Sequence, residues 1–245
     1  MSRKAHEPSM AELTANRIIE YITSNKMMPG DKMPTENEML KYLGVGRSTL
    51  REAFKIMSAR NILDIRQGSG AFVSHKCGIP DDPLGLTFIY NDDRLALDLL
   101  DVRALIEPQA AMLAALHATP KQRIQLEKQC LVVEALIKEQ QVYQEEDIEL
   151  HKLIAEASRN NVISNLSYII NTSIKRNIIA TADSLRDNNT LVYHRKTIDA
   201  IINGDPISAS NSMMIHISLL REYIADKLKK AGTREAASME TQEIS

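Results

Sequence analysis

The chain has 245 residues, of which 44% are hydrophobic and 25% charged, with a formal net charge of −2. That length allows one or two domains with real cores, and no apolar run approaches the ~18 residues of a membrane span. The polar opening MSRKAHEPSM lacks the apolar stretch of a secretory signal, so membrane and secreted classes are set aside and a cytoplasmic protein is expected. Scarce glycine, nine residues in all, and abundant Leu, Ile, Ala, Lys and Glu favour a mainly helical fold.

Cys77 and Cys130 lie far apart without CxxC spacing and read as free thiols in a reducing compartment rather than as a disulfide. The small net charge hides an asymmetry: residues 1–78 carry +4 and the remainder −6. A basic front and an acidic back suggest a nucleic-acid-binding module joined to something else. The signal is mild and needs a motif.

In chain order, SMAELTANRIIEYITSN opens with Ser9 as an N-cap and Glu12 three residues later, a capping box. Leu13, Ile18, Ile19 and Ile22 then recur at helical spacing. MPGD breaks this helix. Thr35 caps a short second helix, ENEMLKYL, which Gly44 ends. VGRSTLREAFKIMSARN forms the third, with Val45, Leu50, Phe54 and Met57 inward. Two short helices joined by a tight glycine turn outline a helix-turn-helix. Arg47, Ser48, Thr49 and Arg51 sit near the start of its second helix, where a recognition helix meets base edges. LDIRQGSGAFVS then reads as two short strands around a glycine turn. A hairpin directly after a recognition helix is a wing, and its Arg66, Gln67 and Gly68 are placed to reach the minor groove or backbone.

That stretch, from MPGDKMPTE through GVGRSTLREAF to GSGAFV, resembles the winged helix of GntR-family bacterial transcription regulators. The resemblance implies operator contacts from Arg47, Thr49 and Arg51 on the recognition helix and from Gln67 and Gly68 on the wing. Many members carry Arg where this chain has Asn37, so that contact is either lost or made by an amide.

SHKCGIPDDPLGLTFIYNDD has no clear period and reads as a connector. Helical patterns follow: DDRLALDLLDVRALIEPQAAMLAALHA, capped by Asp92 or Asp93 and kinked near Pro108; one opened by Thr119-Pro120; EEDIELHKLIAEASRN; NVISNLSYIINTSIKRNIIATADSL; NTLVYHRKTIDAIINGD; and a last one begun by Asp205-Pro206. The expected architecture is mainly α: a winged helix-turn-helix with a small β-hairpin wing at 8–76, a linker at 77–91, an all-α six-helix bundle for effector binding and dimerisation at 92–230, and an unstructured polar tail at 231–245.

Asp147 and His151 are four residues apart, on the face that also carries Leu150 and Ile154. Burying a carboxylate and an imidazole there is costly unless something binds them. His194 shares a stripe with Ile198 and Ile201, and His216 with Met213 and Ile217. Each alone reads as a hydrogen-bonded core residue. Together they offer three imidazoles and one carboxylate, a set that suits a divalent first-row metal.

DVRALIEPQAAMLAA, DIELHKLIAEASRN, YHRKTIDAIINGD and MMIHISLL resemble the ligand-binding bundle of the FadR-type (FCD) subgroup of GntR regulators. The resemblance implies a metal held by Asp147, His151, His194 and His216, with Zn the first expectation and Ni, Mn or Fe open. Arg103, on the stripe of Leu99, Leu100, Ile106 and Ala110, either pairs internally with Glu107 or holds a carboxylate effector; the family favours the second.

The function expected is a metabolite-responsive regulator, a homodimer on palindromic double-stranded DNA answering to a small organic or sugar acid. The rivals are a metalloenzyme and a constitutive architectural DNA binder. No HExxH and no placed general base accompany the histidines, so an enzyme is not expected. The elaborate second domain speaks against the architectural binder.

Overall fold

The structure is a computed structural model that describes residues 7–86, 88, 89, 93–177 and 188–242. The chain divides after Pro83 into two compact units.

The first unit contains helices α1 (Met10–Ser24), α2 (Glu36–Leu43) and α3 (Arg47–Ala59), followed by strands β1 (Leu63–Arg66) and β2 (Gly70–Val73). Both capping boxes form: Ser9 with Glu12 at the start of α1, and Thr35 with Glu38 at the start of α2. Gly44 ends α2 at φ 65°, a left-handed conformation that glycine adopts without strain. The strands pair antiparallel, from Leu63 opposite Val73 to Arg66 opposite Gly70. The stretch before α2 covers the free edge of β2: Gly30 N–H donates to the Val73 carbonyl, Val73 N–H to the Asp31 carbonyl and Met33 N–H to the Ala71 carbonyl. Ala15, Ile18, Met39, Leu50, Ala53, Phe54, Met57, Leu63 and Val73 form one core. Leu13, expected inward, is 42% exposed. Thr14 takes the buried position, its hydroxyl donating to the Met10 carbonyl at 2.6 Å, which satisfies the only polar atom it brings inside.

The second unit is a helical bundle: α4 (Asp93–His117), α5 (Pro120–Lys138), α6 (Gln144–Ala157), α7 (Asn161–Asn177), α8 (Asn188–Asn203) and α9 (Pro206–Gln242). α4 is the central element and packs against α6, α7, α8 and α9, while α5 packs on α6 and α8. Its small buried residues Ala110, Ala111, Ala114 and Ala115 admit close neighbours, and Leu126, Leu150, Ile154, Ile198, Ile201, Met213 and Ile217 fill the rest of the core. Pro108 lies inside α4, which continues on both sides of it. Thr119 and Gln122 form the capping box of α5, with Pro120 at its first turn. Arg123 donates to the Ala115 and Ala118 carbonyls at the end of α4 and to Ile202 near the end of α8. It thereby satisfies carbonyls that a helix terminus leaves free.

The tail expected to be unstructured from residue 231 is helical through Gln242. Its AGTREAASMETQ holds three Ala and two Glu, which propagate a helix already started, and no proline follows Lys230 to stop it. The expected helix NVISNLSYIINTSIKRNIIATADSL is observed up to Asn177; positions 178–187, like Asp92 and the last three residues of the tail, lie outside the described residues. Both cysteines are free, Cys77 exposed and Cys130 buried. No helix among the described residues is long and apolar enough to cross a membrane.

Candidate functional site

The histidines reach one point from three helices. His151 sits on α6, His194 on α8 and His216 on α9, all buried and each on the inward stripe that the apolar spacing defines. The Nε2 atoms of His151 and His194 are 3.2 Å apart, and those of His194 and His216 also 3.2 Å. A tetrahedral ion with metal–nitrogen bonds near 2.0–2.1 Å needs its nitrogens about 3.3 Å apart. Asp147, one turn before His151 on α6, brings Oδ1 to 3.3 Å from His194 Nε2, and its Oδ2 lies 3.9 Å from His151 Nε2. Oδ1 is buried yet accepts no hydrogen bond from the described residues. At 3.3 Å it stands beside the His194 nitrogen without the geometry to accept from it. A buried carboxylate oxygen without a donor costs free energy, and a cation at the point where the nitrogens converge would satisfy it. The donor set therefore fits a divalent metal.

The electrostatics agree. Burial pushes His194 down to about 4, with the neighbouring His151 and Arg103 adding to the effect and Asp147 opposing it. Burial and then the other two imidazoles hold His216 well below the ordinary histidine range. Both rings are neutral at pH 7, the form that ligates metal.

Beside this cluster, α4 contributes Arg103 and Glu107, both buried. Arg103 donates from Nε to Glu107 Oε1 at 2.6 Å and from Nη2 to Oε2 at 3.1 Å. The internal pair left open by the sequence is thus formed. Glu107 Oε2 also lies 2.7 Å from His151 Nδ1. Burial alone would raise Glu107, but the charge of Arg103 and the close contacts with Arg103 and His151 hold its carboxyl well below the usual range. Burial opposes the charge on Arg103, but Glu107 more than restores it and raises the guanidinium above its ordinary value. Arg103 Nη1 has no hydrogen-bond partner among the described residues. The sequence named Glu107 only as a partner for Arg103. Its contact with His151 was missed, although the need of a ligating imidazole for a partner on its other nitrogen was a usable signal.

In the first unit, Arg47, Ser48 and Arg51 are exposed at the start of α3, with Thr49 half-buried beside them. Arg47 Nη2 donates to Asn37 Oδ1 at 3.5 Å, which puts Asn37 next to the recognition-helix residues. Arg51 is held by Glu36 through Nε and Nη2, both at 3.3 Å, while staying 64% exposed. Arg66, Gln67 and Gly68 form the exposed tip of the hairpin. The Arg66 guanidinium lies over the Phe72 ring at 4.3 Å, and Lys32 stands near the same ring at 5.9 Å. Gly68 sits at φ 73° with open space around it. Exposed basic groups are thus present both at the start of α3 and on the wing.

A winged helix-turn-helix followed by an all-α bundle with a buried polar centre defines a DNA-binding regulator with a sensory domain. Comparison with known proteins identifies the family. Residues 11–73 match the bacterial regulatory proteins of the gntR family, and residues 98–219 match the FCD domain. The solved structure of a GntR protein from Streptococcus agalactiae is 37% identical, with a TM-score of 0.77, and the match covers 86% of this chain and 99% of that one. Among curated proteins, a regulatory protein assigned to the L-lactate dehydrogenase operon of Escherichia coli K12 is 29% identical over 86% of this chain and 84% of its own length. The galactonate operon transcriptional repressor of the same organism is 27% identical, over 81% and 90% respectively. The chain belongs to the GntR family of transcription regulators, in the subgroup that carries an FCD domain. The relatives named above are regulators of transcription.

Proposed function

We propose that this regulator holds a divalent transition metal, zinc first among the candidates, through His151, His194, His216 and Asp147, and that a small carboxylic acid bound beside it alters operator affinity. The observation that carries the reading is the convergence of three buried imidazoles, with the Nε2 of His194 3.2 Å from that of His151 and 3.2 Å from that of His216, beside an unsatisfied Asp147 oxygen. A bound metal supplies a Lewis-acidic anchor for a carboxylate oxygen. Three neutral imidazoles and one carboxylate leave the centre with net positive charge, and Arg103 adds a second positive pole. Glu107 occupies the Nε and Nη2 edge of Arg103, so an acid would engage the remaining Nη1. The relatives named for L-lactate dehydrogenase and galactonate operons point to hydroxy acids, carboxylates of the right size for such a centre.

On the DNA side, Arg47, Ser48, Thr49 and Arg51 read base edges in the major groove, Asn37 supports Arg47 or touches DNA through its amide, and Arg66, Gln67 and Gly68 meet the minor groove or backbone. One winged helix reads only a few base pairs, so two copies on a palindrome double the contacts. Val102, Leu105 and Leu116 leave an exposed apolar stripe on α4, with Leu105 75% exposed, and this stripe supports a homodimer through the bundle. Operator binding by fluorescence anisotropy, with zinc-loaded and chelated protein and with L-lactate and D-galactonate as trial acids, tests the proposal. Acid-dependent affinity that chelation removes is the expected result. Identical responses with and without metal would overturn it.

A further inference from the structure

We infer that Glu107 is a positioning residue for the metal centre: it holds His151 by Nδ1 so that Nε2 alone faces the other ligands. The inference rests on the metal reading above. It comes from three distances that a simple Arg103–Glu107 ion pair does not require. Glu107 Oε2 lies 2.7 Å from His151 Nδ1, a short charge-assisted contact. The same carboxylate is fixed from behind by Arg103 at 2.6 and 3.1 Å. The opposite ring nitrogen, Nε2, stands 3.2 Å from His194 Nε2.

Arg103 itself does not fix the ring. Its Nη2 is 3.4 Å from both His151 nitrogens. An atom equally far from both, at that range, lies over the ring rather than along either lone pair. The carboxylate is therefore the group that chooses the tautomer. With its proton on Nδ1, donated to Glu107, His151 presents a free lone pair at Nε2 to the point where the three rings meet. A carboxylate accepting from the second nitrogen also makes the imidazole a more basic ligand, and loss of such a partner costs about 10–100-fold in metal affinity.

The arrangement distinguishes His151 from His194. His194 Nδ1 is buried and has no hydrogen-bond partner among the described residues. Thus the ring best placed to touch both neighbours is left unoriented, while His151 is anchored. Arg103 and Glu107 sit one turn apart on α4, the element that packs against α6, α8 and α9. The ligand helices are in this way referred to one rigid frame.

The test uses full-length protein and zinc. Zinc affinity is measured by competition with a chromophoric chelator for wild type, Glu107→Gln and Glu107→Asp. Nitrogen NMR of the histidine-labelled, zinc-loaded wild type reports which His151 nitrogen carries the proton. The expected result is at least a tenfold loss of zinc affinity in Glu107→Gln and, in wild type, a proton on His151 Nδ1 with Nε2 bound to metal. Glu107→Asp keeps the charge but is one methylene shorter, and should recover only part of the affinity. Glu107→Gln binding zinc within twofold of wild type overturns the inference and leaves the metal reading standing. Ligation through Nδ1 in wild type does the same, and needs no variant to fold. A wild-type chain that takes up no zinc overturns the metal reading and this inference together.

Discussion

His194→Ala should uncouple the stability of the bundle from metal more completely than any other single change. His194 Nε2 lies 3.2 Å from the Nε2 of His151, 3.2 Å from that of His216 and 3.3 Å from Asp147 Oδ1. Its removal leaves the rings of His151 and His216, 5.3 Å apart between centroids, with no ligand between them. A metal held at a free concentration 100 times its Kd adds about 2.7 kcal/mol to folding stability. A domain of roughly this size shifts its melting temperature by about 2–4 °C per kcal/mol. Chelation should therefore lower the melting temperature of wild type by about 5–11 °C. In His194→Ala the chelator-induced shift should fall below about 2 °C. The comparison is between loaded and chelated forms of each protein, so any intrinsic effect of the substitution cancels. Scanning fluorimetry in zinc-buffered solution reads it directly, and elemental analysis of the same samples counts the metal. A shift of equal size in wild type and His194→Ala would refute the assignment of this residue as a ligand.

Arg51→Ala should weaken specific operator binding by about 1–3 kcal/mol, with Arg47→Ala acting similarly; melting temperatures should barely move, because both side chains are exposed. Unchanged affinity in both variants, read by anisotropy, would mean that α3 is not the reading element. Gly68→Val places a β-branched residue at φ 73°, a conformation such residues avoid, and should weaken DNA binding through the wing while leaving helical circular dichroism unchanged. Light scattering of micromolar protein should give twice 27.5 kDa, and Leu105→Glu, which puts a charge on the exposed stripe of α4, should shift the mass toward one chain. Arg103→Lys keeps a cation but loses the two parallel bonds to Glu107; the acid concentration needed to change operator binding should rise at least tenfold, and a wild-type response would show that Arg103 serves only as Glu107's partner.

Much of this molecule was legible in the sequence because its signals are local. Ser9 with Glu12 specifies a helix start within four residues and its capping box is formed; the caps read at Thr35 and Thr119 are formed too, each completed into a box by Glu38 and Gln122. Gly44 marks a left-handed stop that few other residues tolerate. Histidines on apolar stripes were visible for the same reason: spacing tells which face a side chain occupies. What spacing cannot tell is which nitrogen of a ring faces which neighbour from another helix. Glu107 is four residues from Arg103 and 44 from His151, so the sequence offered the near partner and hid the distant one. Leu13 misled because a periodic apolar pattern fixes a face only to within a residue or so, and Thr14 could turn inward once its hydroxyl had the Met10 carbonyl. The tail, read from its polarity as unstructured, continues α9 to Gln242, and extending a helix already nucleated by packing costs little.

The placement of the polar centre also bears on how a ligand would act. Its residues come from α4, α6, α8 and α9, two from α4, two from α6 and one from each of the others. The surrounding apolar contacts are broad but nondirectional, and small shifts of packed helices cost little as long as volume is kept. The polar contacts behave differently, because a carboxylate at 2.7 Å or a nitrogen at 3.2 Å from its neighbour loses most of its worth when displaced by an ångström. The relative positions of the four helices are thus set by apolar packing to within a small range and chosen within that range by the centre. An acid that bridges the metal and Arg103 would favour one setting only by the difference in its affinity for the alternatives. A coupling of 1–3 kcal/mol, the usual size for such linkage, corresponds to about 5–150-fold in operator affinity. By reciprocity, operator DNA must change the affinity for the acid by the same factor, so titrating the acid into free and DNA-bound protein measures the coupling from the opposite side.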